Sequence, residues 1–363
     1  MLCLAVWTIS CRPTWSPDGD RLTFPARHGE RAAIVEYVLS NGESRFLKEL
    51  PADGAGVPAW EAKAARWVVV EAHPVEETWM EITTFDAKGQ LDKQHDVDVS
   101  TRNTTTLVGE PVVLDGHVYL MGKQVMRIDL ETGKDTGAIA DVNVSSMFRL
   151  GDGLGYAYAQ GRGAGTWEIG RLDPVTLAGT PLFRPPHDCE WQIGPLPSFC
   201  AKHARCAVAA TRGAPGASVG ERDTAILVLA DGKLESTIEL GSDLVAGPLA
   251  WSPDNTTIYA TIVRLGDDHD RFVLLETDFT GAVRREIELV RHPRDAKLLK
   301  NGGEPLRRAL PFAMQPAVSP DGRTVAFTTA LLADLQEQQH GLLLLDTRDK
   351  ERKVRRIPFP TWK

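Results

Sequence analysis

Three kinds of side chain in this 363-residue sequence could do chemistry: a serine, a set of carboxylates and a group of thiols. Gly216-Ala217-Ser218-Val219-Gly220 matches G-x-S-x-G, in which a serine on a sharp strand-to-helix turn attacks a carbonyl carbon. That chemistry also needs an oxyanion hole and a downstream histidine. Here the string lies in a Gly/Pro-rich stretch, residues 212–220, between two expected strands, so it reads as a loop. Asp267-Asp268-His269-Asp270 offers the oxygens that a hard divalent cation takes, although the string equally suits a polar loop. Cys189, Cys200 and Cys206 fall within one stretch. In an oxidising compartment two of them would form a disulfide, and the spacing does not choose the pair. The competing reading is three buried thiols acting as small apolar residues. His187 and His203 stand nearby, but the spacing fits no four-ligand zinc pattern. The glycine strings at 151–155 and 161–165 neither open a helix nor end in Gly-Lys-Ser/Thr, so they read as turns. Apart from that divalent cation, no cofactor is expected.

The elements that would position these residues repeat. Trp15 to Phe24 (WSPDGDRLTF), Trp251 to Ala260 (WSPDNTTIYA) and Val318 to Phe327 (VSPDGRTVAF) align without gaps. Proline presets φ, aspartate bonds onward to its own backbone, and Gly or Asn accepts positive φ. The apolar alternation that follows has the strand period of two. Each string therefore predicts strand, tight turn, strand. Asp18, Gly19, Asp254, Asp321 and Gly322 are expected to form turns; carboxylates recurring at one place in a repeat read as turn formers rather than catalytic acids. Weaker copies start at Trp60, Val113, Phe148 and Phe199, and the longest interval carries an insertion at 291–310. Most units continue into two further strands joined by Gly- or Asn/Asp-containing turns, as a four-stranded blade requires. One such sheet cannot bury both faces alone, whereas stacked blades can.

The WSPDG-x-x-apolar-x-aromatic string resembles the repeat of TolB-type, WD40-like β-propellers. The resemblance covers nearly the whole chain, strongly in three units. It implies an all-β fold, a propeller of seven four-stranded blades starting near 13, 58, 111, 146, 197, 248 and 316, with six or eight blades as the alternatives. It implies little about function, because the family includes periplasmic binding components and propeller halves of serine peptidases. The peptidase reading needs an α/β-hydrolase partner, for which the repeats leave no segment.

Hydrophobic content is 42%, charged content 25% and formal net charge −8. The negative balance argues against a broad nucleic-acid footprint. The basic residues between Arg348 and Arg356 are interleaved with acids and read as the solvated face of a last strand. No run of about 18 apolar residues predicts a transmembrane helix. Residues 1–11, MLCLAVWTISC, look like the end of an export segment, with residues 12–363 as a single propeller domain. Ser10-Cys11 resembles the end of a bacterial lipobox, which would make Cys11 a lipidation site and lipid anchor; the competing reading is a strand closing the ring. Asn103, Asn143 and Asn255 sit in N-x-S/T sequons, which matter only in a eukaryotic secretory pathway. Trp79, Trp167 and Trp191 fall outside the repeated first-strand positions and suit blade packing better than a ligand face.

These observations predict an exported, extracytoplasmic bacterial propeller. It would be monomeric and non-enzymatic, a protein- or ligand-binding scaffold whose partner is another envelope protein. The alternative is a hydrolase of lactonase type with a channel-centred, metal-dependent site. Such sites draw carboxylates and histidines from several blades and leave no local motif.

Overall fold

The computed structural model describes residues 12–28, 31–50, 56–72, 79–99, 111–121, 124–137, 140–151, 153–159, 167–185, 189–194, 197–200, 205–213, 222–266, 269–293, 314–329 and 341–361. Its elements are antiparallel strands in seven sheets, each sheet following the chain order of its strands. The fold is all-β, a β-propeller of seven blades. Contacts divide the chain into two compact units, one within residues 1–158, 170–181 and 359–363, the other within 159–169 and 182–358.

In unit one, blade one runs Thr14–Trp15, Arg21–His28, Arg31–Val38, Glu43–Leu50, and blade two runs Gly56–Glu61, Arg66–Ala72, Trp79–Phe85, Leu91–Asp98. Among the described residues blade three has three strands, Val112–Leu114, His117–Met121 and Val125–Asp129, with one further bridge between Ile128 and Asp135. The segment after it, Lys134 to Gly137, is polar and offers no apolar side chain to bury. Blade four comprises Ser146–Leu150, Gly153–Ala159, Trp167–Leu172 and Gly179–Phe183, of which residues 159, 167–169, 182 and 183 are assigned to unit two.

In unit two, blade five departs from the plain pattern. Its first strand is split into Gln192–Ile193 and Ser198–Phe199, both paired to Arg205–Arg212. The chain between them carries Pro195 and Pro197, which lack the N–H a ladder needs. Blade five continues with Asp223–Ala230 and Lys233–Gly241. Blade six is Leu244–Trp251, Ile258–Arg264, His269–Thr277 and Val283–Pro293; blade seven is Ala317–Val318, Thr324–Thr328, Leu342–Asp346 and Val354–Ile357.

Inner strands explain themselves by burial. Ala32 to Tyr37 and Leu342 to Leu345 are buried without a break, because both faces of the sheet are covered. Outer strands such as Leu91–Asp98 are exposed or half-buried at all but one position, so they carry the charge. Within unit one, Val68, Val70 and Ile82 of blade two meet Val113, Val118 and Ile128 of blade three. Within unit two, Tyr259, Phe272 and Leu274 of blade six meet Val325, Phe327 and Leu343 of blade seven.

Antiparallel alternation gives every sheet two ends. The turns from first to second strand and from third to fourth leave one end and are short, for example 16–20, 39–42, 231–232 and 319–323. The connections from second to third strand, and from each fourth strand to the next blade, leave the other end. These include 99–111, 213–222, 294–316 and 329–341.

Candidate functional site

The three repeated hairpins share one hydrogen-bond pattern. In the first, Ser16 Oγ donates to Asp18 Oδ1 (2.5 Å), the Asp20 amide donates to the same oxygen (3.1 Å), and the Arg21 amide donates to Ser16 Oγ (3.0 Å). Ser252 and Asp254 repeat the first contact at 2.5 Å, Ser319 and Asp321 at 2.7 Å. The residue after each aspartate is left-handed: Gly19 at φ 74°, Asn255 at 60°, Gly322 at 71°. Their amides donate to the carbonyls of Ser16, Ser252 and Ser319. The hydroxyl bonds from Ser16 and Ser319 are the main reason that the Asp18 and Asp321 carboxyls are held below the usual carboxylate range. A carboxylate spent on its own turn is a poor catalyst. Asp321→Ala is expected to cost about 1 kcal/mol, the ordinary net value of such a bond, which urea unfolding at neutral pH would read. Because this carboxyl is depressed in the fold, the difference from wild type holds above the ordinary carboxylate range and fades as pH falls through the folded value.

Cys189, Cys200 and Cys206 are buried free thiols. Burial pushes the Cys206 thiol well above its usual range, so it is not a poised nucleophile. His269 is exposed and Asp270 buried, while Asp267 and Asp268 lie outside the described residues. So do Cys11, His187, His203, Asn103, the Gly216–Gly220 string and the glycines at 161–165. Gly151 closes the hairpin of blade four at φ 62°. Trp167 and Trp191 are buried, with Trp167 Nε1 donating to the Trp191 carbonyl (3.1 Å) and the Arg212 guanidinium lying over the Trp191 ring (4.6 Å). Trp79 is half-buried at the start of its strand. In the basic last segment, Arg352 pairs with Glu276 (3.3 Å) and Lys353 with Glu351 (2.5 Å). Among the described residues, no three His, Cys, Asp or Glu side chains gather as metal ligands.

Among the described residues, most of the buried ion pairs lie in unit one, on residues the repeats do not mark. Glu36, fully buried, accepts a hydrogen bond from Trp67 Nε1 (2.8 Å) and pairs with Arg45 (2.5 Å). Arg66, buried, donates through Nε to Glu61 (2.5 Å) and reaches Asp92 and Glu131, both at 3.1 Å. Lys48 of blade one reaches Glu71 (2.6 Å) and Glu81 of blade two. The sequence held one cue to these groups: a lone charge inside an otherwise uncharged strand, as in Trp79–Phe85 (WMEITTF).

Among the described residues, no helix is long and apolar enough to cross a membrane. No family model and no curated protein sequence matches the chain. Solved structures do. The β-propeller domain of the Trilobed protease from Pyrococcus furiosus is 12% identical, with 95% of this chain and 96% of that one covered and a TM-score of 0.52. A putative 6-phosphogluconolactonase from Bacteroides uniformis is 10% identical over 93% and 94%, with a TM-score of 0.51. TolB from Acinetobacter baumannii is 14% identical over 76% of this chain and about half (53%) of its own, with a TM-score of 0.40. At such identities the likeness is one of fold. In fold, the chain is a seven-bladed β-propeller.

Proposed function

We propose that this chain is a non-enzymatic binding scaffold of the bacterial cell envelope, exported and held there by lipidation at Cys11, that engages another envelope protein. The observation that supports the reading is that the longest connections, 99–111, 213–222, 294–316 and 329–341, all leave the same kind of sheet end. At one end the turns are short and bond to themselves. At the other end leave the long connections, and loops on a rigid scaffold are where recognition is commonly carried. The candidate carboxylates at Asp18, Asp254 and Asp321 are consumed by their own turns, which fits a scaffold better than an acid–base site.

The test is affinity capture from a crosslinked envelope extract of the native organism, read by mass spectrometry. His269 and Arg291 are exposed on the long-connection end of blade six, and Arg348 is exposed on the turn end of blade seven. His269→Glu combined with Arg291→Glu is expected to weaken capture of a dominant envelope partner several-fold, with Arg348→Glu leaving it unchanged. The same capture profile for all three proteins would overturn the reading, as would turnover of a lactone by the purified protein.

A further inference from the structure

Glu71 and Glu81 stand directly opposite each other on neighbouring strands of blade two. Like charges at that position repel. Both side chains are nearly closed to solvent, at 3% and 10% exposure. Among the described residues one cation serves them. Lys48, from the fourth strand of blade one, donates to Glu71 Oε1 (2.6 Å), to Glu81 Oε1 and to Thr83 Oγ1 (2.7 Å), and Thr83 Oγ1 in turn donates to Glu81 (3.1 Å). Glu71 Oε2 is buried with no hydrogen-bond partner among the described residues. On its other side Glu71 faces Gly56. The space that a side chain on Gly56 would fill is taken by Leu50 and Ile34 of blade one, at 3.0 and 3.3 Å. The remaining ionisable group in this row is Asp96, opposite Glu81 and exposed.

Two carboxylates and one ammonium in a dry contact carry an unmatched negative charge, and one proton removes it. We propose that Lys48, Glu71 and Glu81 form a proton-operated staple between blades one and two. With Glu71 protonated the group is neutral and tight. When that proton passes to solvent, two carboxylates compete for Lys48 and the contact loosens. The two sites divide in the required sense. Burial pushes the Glu71 carboxyl up to about 7 against the pull of Lys48. Burial also acts upward on Glu81, but hydrogen bonding and charge from Lys48 outweigh it and hold that carboxyl below its usual range. Since Glu71 keeps its proton above the unfolded value, the staple's contribution is full below the ordinary carboxylate range. It falls as pH rises toward 7 and is lost above it.

The experiment is a side-chain carboxyl carbon titration of the full chain, labelled at glutamate, in wild type, Glu71→Gln and Glu81→Gln. One resonance is expected to titrate near neutrality in wild type and to vanish in Glu71→Gln. Glu81→Gln, which frees Lys48 for Glu71 alone, should lower that midpoint by about one pH unit or more. Hydrogen exchange of residues 43–50 and 56–72, corrected for the intrinsic rate, should show protection falling several-fold from pH 6 to pH 8 in wild type but not in Glu71→Gln. A wild type with no carboxyl titrating near neutrality overturns the staple. So does a midpoint unmoved by Glu81→Gln, or equal loss of protection in wild type and Glu71→Gln.

Discussion

Trp67→Ala is expected to lower folding stability by about 3–5 kcal/mol, the range for emptying a fully buried tryptophan site. Trp67 has no exposed surface and packs with Ile34, Leu47 and Leu50 of blade one and with Val69 and Phe85 of its own blade. Its ring also meets Trp60 edge-on, with centroids 4.6 Å apart. The side chain therefore joins two blades, and neither can close over the gap without moving its own strands. A second loss adds to the cavity. Trp67 Nε1 donates to Glu36 Oε1, and Glu36 is fully buried, so truncation removes one of the groups that solvate its charge. Trp67→Phe separates the two effects. It keeps most of the volume but removes the N–H, and should cost about 1–3 kcal/mol, the price of leaving a buried polar group one partner short. Urea unfolding followed by circular dichroism measures both. A loss under about 1 kcal/mol for Trp67→Ala would show that the blade contact repacks freely, contrary to the density expected of such interiors.

Trp67 also shows how much of the molecule was legible in the sequence. The strings at Trp15, Trp251 and Val318 declared their hairpins because the turn itself is built from side-chain chemistry, a serine and an aspartate bonding backbone amides. The matching hairpin of blade two, Trp60 to Val69, has lost those residues. Its left-handed position falls on Ala65, at φ 51°, which no composition rule would pick. There the strand pattern alone carried the repeat. The bridge that follows the third strand of blade three and the split first strand of blade five followed from local polarity and proline, features visible in the sequence but not decisive before the pairing was known. The ionic groups left only the cue of a lone charge within a strand, and that cue names no partner. Glu71 meets Glu81 because of strand register, and both meet Lys48 because two blades stack. Neither relation is a spacing along the chain, so no motif could announce it.

The same reasoning sets the second large effect. Arg66→Met is expected to cost about 3–5 kcal/mol, because it leaves Glu61 buried without its counter-ion. Glu61 is only 2% exposed and takes the Arg66 Nε bond at 2.5 Å, whereas Asp92 and Glu131 are 39% and 58% exposed and fall back on water. The penalty therefore sits on one carboxylate, and the other two contacts contribute little. One consequence distinguishes this account from simple loss of packing. Replacing the pair together, Arg66→Met with Glu61→Met, should recover most of the stability, since an apolar pair of similar volume needs no counter-charge. The coupling in the double-mutant cycle would then be large and favourable, as expected for residues in direct contact. If the double variant is instead as unstable as the two single losses added together, Arg66 acts through its aliphatic stem rather than its charge. Glu61 would then owe its burial to something other than the ion pair.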